Sequence, residues 1–170
     1  MLRIANILVA TDFSDCSVSA VMYGRAMAQR FGARLHVLHT LELMPPDLSG
    51  LGGSLSTMPE LQSNLDELAR AQLNDSITAE DRQLLRAITI LKTGDTPAQA
   101  ISDYARTAQI DLIVIGTHGR RGLSHLVMGS VAEKVVRMAP CPVLTVRHPE
   151  REFVVADAPA SPSPSPRSPS

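Results

Sequence analysis

Five short apolar runs punctuate the chain, and between them the hydrophobic positions recur with helical spacing. Residues 4–10 (IANILVA) form the first run, short enough for a buried strand. Residues 11–14 (TDFS) are a polar turn, and 15–31 then read as a helix with Ala20, Gly24, Met27 and Phe31 at 4-3-4 spacing. Gly32 supplies the stop. Residues 35–40 (LHVLHT) are a second strand, and 44–59, rich in Pro, Gly and Ser, read as a long surface loop. Leu61, Leu65 and Leu68 mark one face of a single helix predicted over 60–83. A third strand (86–92) precedes Thr96-Pro97-Ala98-Gln99, where Thr96 is the expected N-cap, Pro97 the first helical residue and Gln99 the capping-box partner. Ile101, Tyr104 and Ala108 continue the buried face of that helix. A fourth strand (111–115) leads into a glycine loop and a helix carrying Val127, Val131, Val135 and Met138 on one side. Pro140 and Pro142 end it, and a fifth strand follows at 143–147.

Strands alternating with helices imply a parallel sheet covered on both faces. The expectation is an α/β, Rossmann-like fold: one doubly wound five-stranded sheet within residues 1–148. Residues 149–170 hold half of the 12 prolines, alternating with serine, and are expected to be a disordered tail. Doubly wound sheets bind ligands beyond the carboxyl ends of their strands, where the winding reverses. If the first and fourth strands are neighbours, the 10–13 turn and the Gly116 loop share one crevice.

Composition narrows the function. With 44% hydrophobic residues in a chain of 170, one domain with a sizeable core is expected. A net charge of −1 and the absence of Trp remove the basic patches and stacking platforms that nucleic-acid binding needs. No apolar run approaches the ~20 residues that span a bilayer, and the opening MLRIANILVATD does not read as a signal peptide. Cys16 and Cys141 fall at opposite edges of the expected sheet, so no bridge is expected between them. A cytoplasmic setting follows as the default.

The candidate chemistry lies in residues 116–131. A strand feeding a glycine-rich loop that opens a helix lets backbone N–H groups hold phosphate. Gly116, Gly119 and Gly122 lie in this loop, and Gly129-Ser130 stand where the helix begins. A glycine cluster after a strand is also, often, only a tight turn. Asp12 fits either a ligand contact or a cap on the first helix. Arg120 and Arg121 fit either a phosphate clamp or solvated charge. His118 and His125 lack metal-site spacing, and Cys16 fits a buried, inert thiol better than a redox one.

Taken together, the spacing G-x2-G-x9-G-[S/T] at Gly116, Gly119, Gly129 and Ser130, the opening ILVATDFS, the strand ending LHT and the terminal APCPVLTVR resemble the universal stress protein family. The resemblance covers residues 2–148. It implies strand order 3-2-1-4-5 and, because the glycine pattern is intact, the branch of that family that binds ATP. Carried over residue by residue, it implies Gly116 and Gly119 against ribose and phosphates, and Gly129, Ser130 and Val131 as the phosphate cradle. Asp12 would meet ribose or a Mg2+ on the phosphates. Ala10 (where relatives often have proline), Thr11 and Thr40 would line the nucleoside pocket, and His118 matches a binding-loop position. It also implies a homodimer through the Val143–Val146 edge strand, with an unidentified protein partner reading the bound state.

Three functional classes remain open: a nucleotide-binding stress-response or signalling module, a slow ATP hydrolase, and a nucleotide-free interaction module. The chain lacks G-x4-G-K-[S/T], and its only lysines, Lys92 and Lys134, lie outside the loop. Binding without efficient turnover is therefore favoured over hydrolysis, and the intact glycine set argues against an empty loop.

Overall fold

The computed structural model describes residues 3–41, 58–94, 96–118 and 128–147. Its elements run β1 (Asn6–Ala10), α1 (Asp15–Phe31), β2 (Arg34–Leu41), α2 (Met58–Asp75), α3 (Ala79–Leu84), β3 (Ile88–Thr93), α4 (Pro97–Thr107), β4 (Leu112–Gly116), α5 (Ser130–Met138) and β5 (Val143–Val146). The five strands form one sheet in the order β3-β2-β1-β4-β5, every pair parallel. β1 lies between β2 and β4, so the winding reverses at the β1/β4 boundary.

The apolar runs are continuous because both sheet faces are buried. Ile7, Val9, Leu35, Val37 and Val114 face α1 and the end of α2, with Ala20, Val21, Tyr23 and Leu73 in the same core. Their neighbours Leu8, Leu38, Ile113 and Ile115 face the other way, against Ala98, Ile101 and Ala105 of α4 and Val135 of α5. At the far end of the sheet the Asp111 carboxylate accepts the N–H groups of Ala5 (2.7 Å) and Asn6 (2.9 Å), which pins the starts of β1 and β4 together.

Several expectations are corrected. The single helix predicted over 60–83 is two helices, because Thr78 and Asp81 form a reciprocal capping box that starts α3. The leucine face of α2 is not its buried face: Ala69 and Leu73 go inward, while Leu61 and Leu68 are exposed. Thr96 occupies the N-cap of α4 with Pro97 following, but no side-chain cap forms. Gln99 instead donates to Asp103 one turn on, at 2.8 Å. Phe31 and Met138 are exposed rather than core. The strands differ from their predicted limits by one or two residues, with β3 moved to Ile88–Thr93. Met58 and Pro59, predicted as the end of the 44–59 surface loop, open α2 instead, while residues 44–57, Val127 of the last helix's stripe and the Pro/Ser tail lie outside the described residues. Among the described residues no helix is long and apolar enough to cross a membrane.

Candidate functional site

Three chain segments meet at the carboxyl ends of the central strands. Ala10 closes β1 opposite Leu38 of β2 and Ile115 of β4. Thr11 extends the first ladder, its N–H donating to Leu38 O at 2.9 Å. β2 continues past that point, so Thr40 overhangs the end of β1, on the sheet face shared by Leu38 and Ala10. On the other side Thr117 N–H donates to Val146 O at 2.7 Å, carrying β4 beyond Gly116.

The β1–α1 turn is held by its own short polar side chains. Thr11 Oγ1 accepts Phe13 N–H (3.0 Å) and lies 3.0 Å from Ser17 Oγ. Asp12 Oδ1 accepts both the N–H and the hydroxyl of Ser14. Ser14, not Asp12, is the N-cap of α1, and its side chain accepts from Ser17 N. These bonds hold Phe13 at φ +64°, a region that non-glycine residues seldom occupy. The Phe13 ring rests against His39 with centroids 4.4 Å apart. His39 Nδ1 lies 2.7 Å from Thr11 O, and a carbonyl only accepts, so Nδ1 carries the proton. Sequence reasoning missed this Phe13–His39 contact, because residues 26 apart show no periodic signal.

The β4–α5 turn is built differently. Gly129 N–H donates to Thr117 O at 2.6 Å, closing the neck of the loop. A Cβ on Gly129 would lie 2.9 Å from that oxygen and 3.6 Å from His118 Cα, so only glycine lets the two ends of the loop meet this closely. Gly116 has a packing reason of its own: a Cβ there would stand 3.0 Å from Cys16 Sγ and 3.1 Å from the Cys16 carbonyl. Cys16 is buried, its thiol directed at Val146 O (3.2 Å). His118 Nδ1 lies 3.0 Å from Thr117 Oγ1.

Gly129 is the N-cap of α5 and offers no side-chain cap. The first intrahelical bond runs from Glu133 N–H to Gly129 O at 3.0 Å, so the N–H groups of Ser130, Val131 and Ala132 have no carbonyl partner within the helix. Ser130 is exposed and Val131 half-buried. A helix start of this kind carries partial positive charge and open donors, the properties that hold an anion.

Of the predicted site residues, the fold brings together Ala10, Thr11, Asp12 and Thr40 on one side of the β1/β4 boundary and Gly116, His118, Gly129, Ser130 and Val131 on the other. Gly119 lies outside the described residues, as do Arg120, Arg121, Gly122 and His125. Among the described residues no group of three or more His, Cys, Asp or Glu is placed to hold a metal ion.

The universal stress protein family model matches residues 3–147. A universal stress protein of Methanocaldococcus jannaschii is 32% identical over 147 residues, 86% of this chain and 84% of that protein. Among solved structures, the universal stress protein UspA from Lactobacillus plantarum has TM-score 0.67 at 28% identity, covering 86% of this chain and 100% of that one. The universal stress protein from Archaeoglobus fulgidus, solved in complex with dAMP, has TM-score 0.54 at 21% identity over 86% and 99% of the two chains, and at that identity the likeness is one of fold.

Proposed function

The chain belongs to the universal stress protein family, and from that premise we propose that it holds ATP, as a stress-response or signalling module whose bound nucleotide biases conformation, dimerisation or partner choice. The observation that carries this reading is the uncapped start of α5, held by the Gly129–Thr117 neck beside the ends of β1 and β4. Open N–H groups and the Ser130 hydroxyl suit the phosphates. In this reading Ala10, Thr11 and Thr40 border the space for the nucleoside, with Gly116 and His118 along the phosphates and ribose; Gly119, outside the described residues, is assigned to them by the family resemblance alone. The Archaeoglobus fulgidus relative holds dAMP, a nucleotide with the same base.

Asp12 is suited to ribose or to a Mg2+ carried on the phosphates. A single carboxylate fits that ion, which takes one or two protein oxygens and otherwise phosphate and water, better than it fits a protein-made cage. Mg2+ would neutralise phosphate charge, and the residues here would bind and orient. The two free thiols suit a reducing cytoplasm. β5, at the sheet edge, is the proposed dimer seam, since an open edge pairs readily with a second copy.

Mass spectrometry of the purified, denatured protein should detect a copurified adenine nucleotide, and calorimetry with ATP and Mg2+ should show binding. Failure of both overturns the reading. Sedimentation equilibrium at micromolar concentration should return a dimer mass; a monomer would remove the β5 seam.

A further inference from the structure

α1 and α2 send side chains into the same core, on one face of the sheet. Between them runs an open groove of about 390 Å3. Phe13, Val18 and Met22 line one wall and Gln72 and Asp75 the other. Val18 and Met22, one turn apart on α1, are 52% and 41% exposed, and Leu68, one turn before Gln72 on α2, is 58% exposed. Leu61, Leu65, Leu68 and Gln72 follow i, i+4, i+7, i+11 and so share one helix face. At 1.5 Å per residue the three leucines span about 10 Å, or two helical turns, and Gln72 continues the line into the groove. Apolar side chains in a line of this length are the pattern by which a groove receives an amphipathic helix.

The charge around the groove selects the kind of helix. Among the described residues that line it, Arg25 is the only cation. Its guanidinium is already committed: Nε donates to both carboxylate oxygens of Asp81, at 2.8 and 3.0 Å, and Nη2 to Ser76 O at 3.2 Å. Asp75 has no ion-pair partner among the described residues. With Arg25 and Asp81 neutralising one another, the carboxylate of Asp75 is the charge left over in the groove lining among the described residues. An exposed apolar rail beside the unpaired carboxylate of Asp75 complements a helix with leucine-type anchors flanked by lysine or arginine.

We propose that the α1–α2 groove is the docking site for a basic amphipathic helix of a partner protein. Its apolar anchors seat against Phe13, Val18, Met22 and Leu68, and a cationic side chain pairs with Asp75. No residue of the phosphate cradle takes part, and the groove shares with the proposed nucleoside space only Thr11, which serves neither as anchor nor as ion-pair partner here.

The test uses the full chain and a fluorescent 18-residue Lys/Leu peptide patterned as an amphipathic helix, with a scrambled peptide and a Glu/Leu counterpart as controls, read by anisotropy. The patterned basic peptide should bind at least about tenfold more tightly than either control, and added salt should weaken it. Met22→Glu and, separately, Leu68→Glu should each lower affinity about tenfold. Asp75→Lys should lower it about threefold. All three sites are exposed, so melting temperatures should stay near that of the unsubstituted protein. No binding of the basic peptide, equal binding of the acidic or scrambled one, or affinity unchanged in both glutamate variants overturns the proposal. Concentration-dependent self-association lost on Met22→Glu would also overturn it, by giving the groove to a second copy of this chain.

Discussion

Two strand-to-helix turns flank the reversal point of the sheet, and they treat their helix starts in opposite ways. The turn from β1 to α1 satisfies itself: Ser14 caps the helix, Asp12 binds Ser14, and Thr11 holds Phe13 and Ser17. The turn from β4 to α5 ends at a glycine that has no side chain with which to cap. Both helices point their positive ends at the same crevice, but only the second leaves its amide donors without a side-chain cap among the described residues. A chain that capped both starts would gain stability at α5 and lose the place where an anion can sit. The comparison teaches that, of the two helix starts flanking the reversal point, the one left without a side-chain cap is where an anion can sit.

The comparison can be broken by blocking the unfinished end. Gly129→Val would set a branched side chain against Thr117 O, where even a Cβ has 2.9 Å. ATP affinity by calorimetry should fall at least about 100-fold, equivalent to about 2.7 kcal/mol, and the melting temperature should fall as well, because the backbone neck at Thr117 has to give way. Unchanged affinity would move the phosphates away from α5.

Acidification should damage the fold at β2, through His36. Burial, reinforced by the nearby Arg34 charge, holds His36 at about 4, against an ordinary value of 6.5. Its Nδ1 faces Tyr104 OH at 2.8 Å while Nε2 has no partner. The folded form therefore resists protonation while the unfolded form accepts it. This contribution to stability is whole above about pH 6.5 and is lost as pH falls from there towards 4, costing about 2 kcal/mol between pH 7 and pH 5. Urea midpoints should show that loss, and His36→Phe should flatten it. An equal loss in the variant would assign the acid sensitivity to other groups.

Smaller effects should separate the two turns cleanly. Ser14→Ala removes a working cap and should lower stability by about 1 kcal/mol, leaving ATP affinity within about twofold. Ser130→Ala should do the reverse: unfolding unchanged, because the side chain is exposed, and affinity reduced about three- to fivefold for one lost hydrogen bond. If the two substitutions exchanged roles, the contrast between the turns would be wrong.

Most of the fold was legible because a sheet buried on both faces leaves continuous apolar runs such as ILVA and LIVI, which stand out against helical spacing. The break between α2 and α3 was also written in the sequence, as Thr78 three residues before Asp81, but helix formers on either side hid it. The Leu61/Leu65/Leu68 stripe misled because leucine reads as core; Ala69 and Leu73 are buried in its place. For the site, the glycine spacing marked Gly129 and Ser130, and Asp12 was visible as the residue after a strand. What stayed hidden depended on tertiary distance: Ser14 rather than Asp12 as the cap, Gly116 packed against Cys16, and Phe13 resting on His39.

The most direct test of the central claim follows backbone amides of the 15N-labelled full chain during titration with Mg2+ and ATP. The account predicts the largest shifts, with slowed hydrogen exchange, at Ser130, Val131 and Ala132, and small changes at Asp15, Cys16 and Ser17. Perturbation centred on the start of α1 with α5 unmoved, or no perturbation at either helix, would contradict it.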